Sequence, residues 1–245
     1  QVIVCLILFG ENQASLTNVH KLYRSFNIFL TCAQIVGVLL VLLVLLWTTY
    51  FRAGFAWHSD RHLQFNWHYL LSILGMVYLL GNGLLTYRTI RHWKKPNLKI
   101  NHAIILFVSL IVSAAGFYAA YDSRNLAIPP KPHINTVHSL FGFIAFVGFA
   151  LQWVVSVIVF FVPRLAGVRY LMFPFHTYFG LSIFMMACAA AVLGFGKTGT
   201  GSAGKISVIT ESTLVKLISL IVFLFAFIVA FLVIHNPYRR SPRSR

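Results

Sequence analysis

Residues 65–88 read FNWHYLLSILGMVYLLGNGLLTYR, an apolar run that carries one histidine, His68, near its start and no formal charge before Arg88. Its length matches the roughly 20 apolar residues that an α-helix needs to cross a bilayer. An ionisable side chain inside such a run is costly and usually faces the interior of a helix bundle. His68 is therefore a candidate functional residue, and the chain repeats this combination of an apolar run with one histidine.

The composition is that of an integral membrane protein. Of its 245 residues, 59% are hydrophobic and 10% are charged, and the mean hydropathy is +0.81. A soluble domain would carry about 25% charged residues. The sequence predicts an all-α fold with six transmembrane helices, since it lacks the short alternating segments of a membrane barrel. The predicted spans are residues 27–51, 67–88, 101–121, 137–162, 175–194 and 213–234.

The segments around these spans are assigned from their composition. Residues 1–26 are predicted to be a cytoplasmic or interfacial segment, because their apolar start is too short to span. Residues 27–235 form one transmembrane domain, and residues 236–245 form a basic cytoplasmic tail. Prolines exclude helix from the loop at 122–135. A Gly/Ser/Thr-rich loop is expected at 195–210.

Four histidines lie near the ends of four consecutive spans: His68, His102, His138 and His176. A single histidine in such a place is usually an interfacial or packing residue. One histidine in each of four neighbouring spans indicates a shared role instead. We therefore expect these four spans to form a central four-helix bundle around the histidines.

The formal net charge of +16 would suggest nucleic-acid binding in a soluble protein. Here the basic residues lie in loops between spans, so membrane orientation explains them and no nucleic-acid partner is predicted. Thirteen Lys and Arg residues fall on the side of the termini and seven on the other. The richer side should be cytoplasmic. His68 and His138 then lie near the non-cytoplasmic face, and His102 and His176 near the cytoplasmic face.

Two histidines at one depth on facing helices can hold a haem, because neutral imidazole is a good axial ligand for its iron. Small residues follow three of the four at i+4, on the same helix face: Ser72, Gly142 and Gly180. His102 is followed by Leu106. A pair of axial imidazoles leaves no open iron position, which favours electron transfer. Since a 20-residue span rises about 30 Å, one site near each face would divide the membrane into short electron hops.

The chain resembles the cytochrome b561 family of six-helix, di-haem, ascorbate-dependent reductases over about residues 27–235. The matching motifs are Phe65-Asn66-Trp67-His68, Tyr87-Arg88, Lys99-x-x-His102, Val137-His138-Ser139, Gln152-Trp153 and Pro174-x-His176-x-x-x-Gly180. The resemblance implies two b-type haems. It makes His68 with His138, and His102 with His176, the metal ligands. It also implies a homodimer.

The same resemblance implies where substrates bind. Cytoplasmic ascorbate would dock at positions matching Arg88, Lys95, Lys99 and Arg169, with Arg88 and Lys95 also next to the cofactor. A cationic rim suits this donor, because ascorbate is a monoanion. The electron would leave on the outer side, to monodehydroascorbate or a ferric chelate.

The sequence departs from the family pattern mainly on the outer side. The family's His-Pro is His68-Tyr69 here, and its outer His-Asn reads Arg124-Asn125. Arg124, Lys131 and His133 are candidates for an alternative site for an anion or a metal chelate. The competing interpretation is an ordinary charged loop.

The histidines are also compatible with two other functions. A transporter with a histidine proton relay would need acidic partners inside the spans, but all four acidic residues fall outside the predicted ones: Glu11, Asp60, Asp122 and Glu211. A haem-bearing anchor would pass electrons to quinone or to a partner protein, and activity of the purified chain with ascorbate alone would argue against it. A vesicle, lysosomal or plasma membrane suits the sequence equally.

Overall fold

The computed structural model describes residues 2–198 and 205–238, with side chains for 21–165, 167–196 and 211–238. Six helices in these ranges are long and apolar enough to cross a membrane, and the ranges contain no β-strand, so the predicted all-α membrane fold is confirmed. The helices are α1 (Val2–Tyr50), α2 (Arg61–Thr89), α3 (Lys95–Asn125), α4 (Val137–Phe161), α5 (Ala166–Thr198) and α6 (Lys205–Ile234). Short 3-10 turns lie at Pro163–Leu165 and Asn236–Tyr238.

Most helices are longer than their apolar runs. Helix α5 begins at Ala166, so the predicted start at 175 is wrong, and Pro174 lies inside the helix. A proline removes only one backbone donor, and transmembrane helices tolerate this loss. The predicted loop at 195–210 is helical at both ends, and its centre, 199–204, lies outside the described residues. Residues 239–245 of the predicted tail also lie outside them.

Helices α2 to α5 form the predicted central bundle. In this bundle α2 packs on α3, α3 on α4, α4 on α5, and α5 on the middle of α2. Helices α1 and α6 pack together and cover one side, where Trp47, Phe184 and Phe225 are fully buried. Many apolar side chains on the other faces are exposed, as a protein surrounded by lipid requires. We call the end of the bundle that carries His68 the outer end and the end that carries His102 the inner end.

Helix α2 contains a π-helical segment, Ile73–Leu79, between the two ends. Gly75 in this segment lies directly against α3, where the Ser109 hydroxyl donates to the Gly75 carbonyl oxygen at 2.8 Å. A side chain at Gly75 would collide with Ser113. The bond from Ser109 therefore uses a carbonyl oxygen of the π-helical segment itself, and it fixes α2 against α3.

The helices that carry His68 and His138 both begin at side-chain caps. The Asp60 carboxylate accepts from the backbone N–H groups of His62 at 2.7 Å and Leu63 at 3.3 Å. These bonds, that of His62 first, lower the pKa of Asp60 below its ordinary value. Thr136 and Ser139 form a reciprocal capping box at the start of α4. Both caps fix the helix start a short distance from the histidine.

The placement of two acidic residues corrects the sequence analysis. Asp122 and Glu211 both lie within helices of membrane-spanning length, each close to the outer end. The helices extend past their apolar runs, which is why the sequence placed both residues outside. The Asp122 carboxylate contacts His58 at 3.1 Å, and that of Glu211 contacts Arg52 at 2.8 Å and Trp47 Nε1 at 3.0 Å.

Candidate functional site

The outer histidine pair consists of His68 on α2 and His138 on α4. Their ring centroids lie 6.1 Å apart and their planes cross at 79°. His68 Nδ1 lies 3.1 Å from the carbonyl oxygen of Gly116, and His138 Nδ1 lies 2.7 Å from that of Ala190. A carbonyl oxygen only accepts, so both Nδ1 atoms donate and both Nε2 atoms keep their lone pair.

The inner histidine pair has nearly the same geometry. The rings of His102 on α3 and His176 on α5 have centroids 6.1 Å apart and planes at 74°. His102 Nδ1 donates to the carbonyl oxygen of Gly83 at 2.8 Å. His176 Nδ1 lies 2.9 Å from the Ser156 hydroxyl oxygen. The structure thus brings the four histidines together in the two predicted pairs, one at each end of the bundle.

These pairs fit axial ligation of a haem iron. Two imidazoles on one metal, with metal–nitrogen bonds of about 2 Å, place their ring centroids roughly 6 Å apart. Histidine ligands also characteristically bind a carbonyl or another polar group through their second nitrogen, as all four do here. Among the described residues no group of three or more His, Cys, Asp or Glu could hold a bare ion. Each pair supplies two nitrogen ligands, so a metal held there would need its other ligands from a macrocycle such as haem.

A cavity of about 300 Å³ lies beside the outer pair. Both histidines line it, together with Tyr69, Gly194 and Arg124. Gly194 is essential to this shape, because a Cβ there would lie 2.7 Å from His138 Cε1. The close approach of the His138 imidazole to the backbone of Gly194 gave no signal in the sequence, since it depends on how α4 meets α5.

The two glycines that lie four residues after His138 and His176 differ in their surroundings. A Cβ added to Gly142 would meet only Phe117 at 3.8 Å and Ala190 at 4.0 Å, so space remains in front of it. A Cβ on Gly180 would lie 2.9 Å from Gln152 Nε2. Gly180 therefore allows Gln152 to reach α5, where its amide donates to the carbonyl oxygen of His176 at 3.1 Å.

The predicted cations at the inner end mostly bind helix ends. Arg88 donates to the carbonyl oxygens of Val233 and His235 at the end of α6. Lys99 and Arg169 both donate to carbonyls at the end of α4: Phe160 at 3.1 Å, Val159 at 3.2 Å and Val162 at 2.6 Å. Lys95 is exposed. The Phe160 ring lies 5.1 Å from His176, so Lys99 and Arg169 bind next to the inner pair.

The predicted outer residues separate into two groups. Arg124 and Lys131 line a second cavity of about 250 Å³, next to the first. Among the described side chains, the lining of neither cavity includes His133, which stacks on Tyr121 at 4.5 Å and lies 3.0 Å from the Asn125 side-chain oxygen. The second cavity has three further polar residues that were not predicted from the sequence: Arg52, Arg61 and His62.

Comparison with known proteins agrees with the resemblance. The sequence profile described as eukaryotic cytochrome b561 matches residues 67–201. A transmembrane ascorbate-dependent reductase homologue of Caenorhabditis elegans is 35% identical over 71% of this chain and 68% of its own length. A lysosomal membrane ascorbate-dependent ferrireductase of Bos taurus is 29% identical over 83% and 79%. A plasma membrane ascorbate-dependent reductase of Mus musculus is 33% identical over 70% and 59%.

Proposed function

This chain belongs to the eukaryotic cytochrome b561 family, and we propose that it carries electrons across the membrane from cytoplasmic ascorbate, through two bis-histidine b-type haems, to monodehydroascorbate or a ferric chelate. It is a multi-pass membrane oxidoreductase. The observation that carries the proposal is the presence of two matched histidine pairs, one at each end of one bundle.

The chain's own residues hold the ligand nitrogens in place. Carbonyl oxygens of Gly83, Gly116 and Ala190 accept from the Nδ1 atoms of His102, His68 and His138, which leaves Nε2 of each ring available as the ligand atom. When bound, a b-type haem supplies one-electron redox chemistry. Since imidazole would fill both axial positions, substrates must be bound by side chains at the two faces of the protein.

Ascorbate as donor is supported by the relatives, since all three are named as ascorbate-dependent enzymes. On the inner face, Lys95 is the exposed cation that we assign to docking of the ascorbate monoanion. Arg88, Lys99 and Arg169 shape this face by binding helix ends. We place both termini in the cytoplasm on the charge asymmetry of the loops, and we propose a homodimer.

The proposal is tested by visible difference spectra of the detergent-purified chain, with haem quantified per polypeptide. Two b-type haems per chain, both largely reduced by ascorbate, are expected. Haems that quinol reduces and ascorbate does not would favour the anchor function. A folded preparation without haem would contradict the proposal altogether.

A further inference from the structure

We propose that the cavity at the outer end is a binding site for a multiply charged carboxylate chelate of ferric iron, with Arg61 and Lys131 as its specificity-determining residues. This inference rests on the proposed function, because it names the acceptor of that electron-transfer path. We call the cavity the outer cationic pocket and define it by Arg52, Arg61, His62, Arg124 and Lys131.

The outer cationic pocket is built from three separate segments that hydrogen bonds tie together. Buried Asn66 on α2 donates to the carbonyl oxygens of Arg52 at 2.9 Å and Gly54 at 2.6 Å, which holds the loop after α1 over the pocket. Buried Ser123 on α3 donates to the carbonyl oxygen of Arg61 at 2.6 Å. The backbone that carries Arg52 and Arg61 is therefore held in place beside about 250 Å³ of space, as a small-ligand site requires.

The charge of the pocket exceeds what a monoanion can balance. Arg52 is compensated by Glu211 at 2.8 Å. Arg124 donates to the neutral carbonyl of Pro132, and Arg61 and Lys131 add two further positive charges. Among the described residues no carboxylate lines the pocket. Arg61 also interacts electrostatically with the Asp60 carboxylate that precedes it. Arg124 and Lys131 still present two positive charges to the space, which favours a citrate-like polycarboxylate over the singly charged monodehydroascorbate.

The pocket is also in the right place for an acceptor. Phe65, Tyr69 and Arg124 line both this pocket and the cavity beside the outer histidine pair. The Phe65 ring centroid lies 5.2 Å from that of His68. A single layer of side chains thus separates a bound chelate from the outer site. In the overall step each ferric ion takes one electron and becomes ferrous, and ascorbate, which supplies the electron, loses one proton and becomes monodehydroascorbate.

Cations near a haem can instead balance negative groups of the cofactor itself. Arg124 lines both cavities and is open to that use, whereas Arg61 and Lys131 line only the outer cationic pocket. The test therefore uses the double variant R61Q/K131Q and leaves Arg124 intact. K216Q is the matched control, because Lys216 is an exposed cation near the outer end of α6 that lines neither cavity.

The experiment follows reoxidation of the reduced, haem-loaded full chain by stopped-flow absorbance at low ionic strength. The oxidants are ferric citrate, ferricyanide as a trianion and hexaammineruthenium(III) as a trication. We expect R61Q/K131Q to slow both anionic oxidants about tenfold, to leave the cationic oxidant unchanged or faster, and to lose this difference at high salt. Iron-free citrate should inhibit the wild type competitively and the double variant much less.

Equal slowing by cationic and anionic oxidants would overturn the proposal, and so would the same loss in K216Q. A fall in haem content or a shift in haem potential, with unchanged acceptor dependence, would assign the cations to the cofactor and also overturn it. The chain is reduced with ascorbate in one series and with dithionite in another. If only dithionite reduces it, the proposed donor fails while the acceptor test still gives its own answer.

Discussion

The outer and inner ends of the bundle hold their histidines alike but use their cations differently. Both pairs have ring centroids 6.1 Å apart. At the inner end, Arg88, Lys99 and Arg169 bind the carbonyl ends of α6 and α4. At the outer end, Arg61 and Lys131 face an open cavity.

The two ends therefore share the geometry of their histidine pairs and differ in the surfaces that would meet substrates. The ligand geometry comes from carbonyls and hydroxyls inside the bundle, and it is nearly the same at both ends. The cations at the inner end bind helix termini, where the aligned peptide dipoles favour positive charge. The cations at the outer end surround a space, so we expect the two faces to discriminate substrates by different means.

The largest expected effect is the loss of one histidine from either pair. H138A should remove the outer haem and H176A the inner one, so that each variant retains about half of the wild-type haem, because a lone imidazole binds the iron far more weakly. The measurement is haem per chain by pyridine haemochrome. H92A, at an exposed loop histidine, serves as the control. Full haem content in H138A would show that the outer pair does not hold a haem as the inner pair does.

Gly194 offers a test that affects the outer end alone. In G194A the new Cβ would lie 2.7 Å from His138 Cε1, so the imidazole must shift. We expect the affinity of the outer site for haem to fall about tenfold or more. G196A is the matched control, because a Cβ at Gly196 meets nothing within 4 Å. The measurement is a titration of the apoprotein with haem. Equal haem affinities of G194A and G196A would contradict this role of Gly194.

The sequence was sufficient for the class of fold and for the histidine pairs, since hydrophobic run lengths and loop charges determine both. It could not identify the partners of the Nδ1 atoms. Three of them are backbone carbonyls, which carry no residue signature, and Ser156 meets His176 only through the packing of α4 on α5. It likewise missed Arg52 and Arg61, which lie far from Lys131 along the chain and were counted only as loop charges.

Ser156 tests the inner end in the same way. S156A removes the polar partner of His176 Nδ1, so the ring loses its fixed orientation. We expect about a tenfold loss of haem affinity at the inner site, with the outer site unaffected. S219A is the control, because the Ser219 hydroxyl donates to the Val215 carbonyl oxygen of its own helix. The measurement is haem binding together with a redox titration. Unchanged haem content and unchanged reduction potentials in S156A would show that Ser156 does not position His176.

Arg88 and Lys95 should separate structural from substrate roles at the inner face. R88Q removes charged hydrogen bonds to the end of α6 and should lower the free energy of unfolding by about 1–2 kcal/mol. K95Q should leave the melting temperature unchanged and raise the KM for ascorbate about threefold to fivefold. Thermal unfolding and ascorbate kinetics on both variants decide this. A higher KM with no loss of stability in R88Q would place Arg88 at the substrate.

The smallest expected effect concerns the cap of α2. The bonded backbone N–H groups lower the pKa of Asp60, so the cap stabilises the fold above the ordinary pKa of 3.8 and loses this effect as the pH falls through the lowered value. D60N cannot carry the charge and should melt slightly below the wild type at neutral pH. The gap should close in acid. Melting curves with a gap that is independent of pH would contradict this role.

The most direct test of the central claim uses proteoliposomes loaded with ascorbate, with ferricyanide, which does not cross the membrane, added outside. If the two histidine pairs form one path across the bilayer, external ferricyanide should be reduced at the expense of internal ascorbate. H138A and H176A should each abolish this transfer, while H92A should retain it. Internal ascorbate that reduces the haems without any reduction of the external ferricyanide would contradict electron transfer across the membrane.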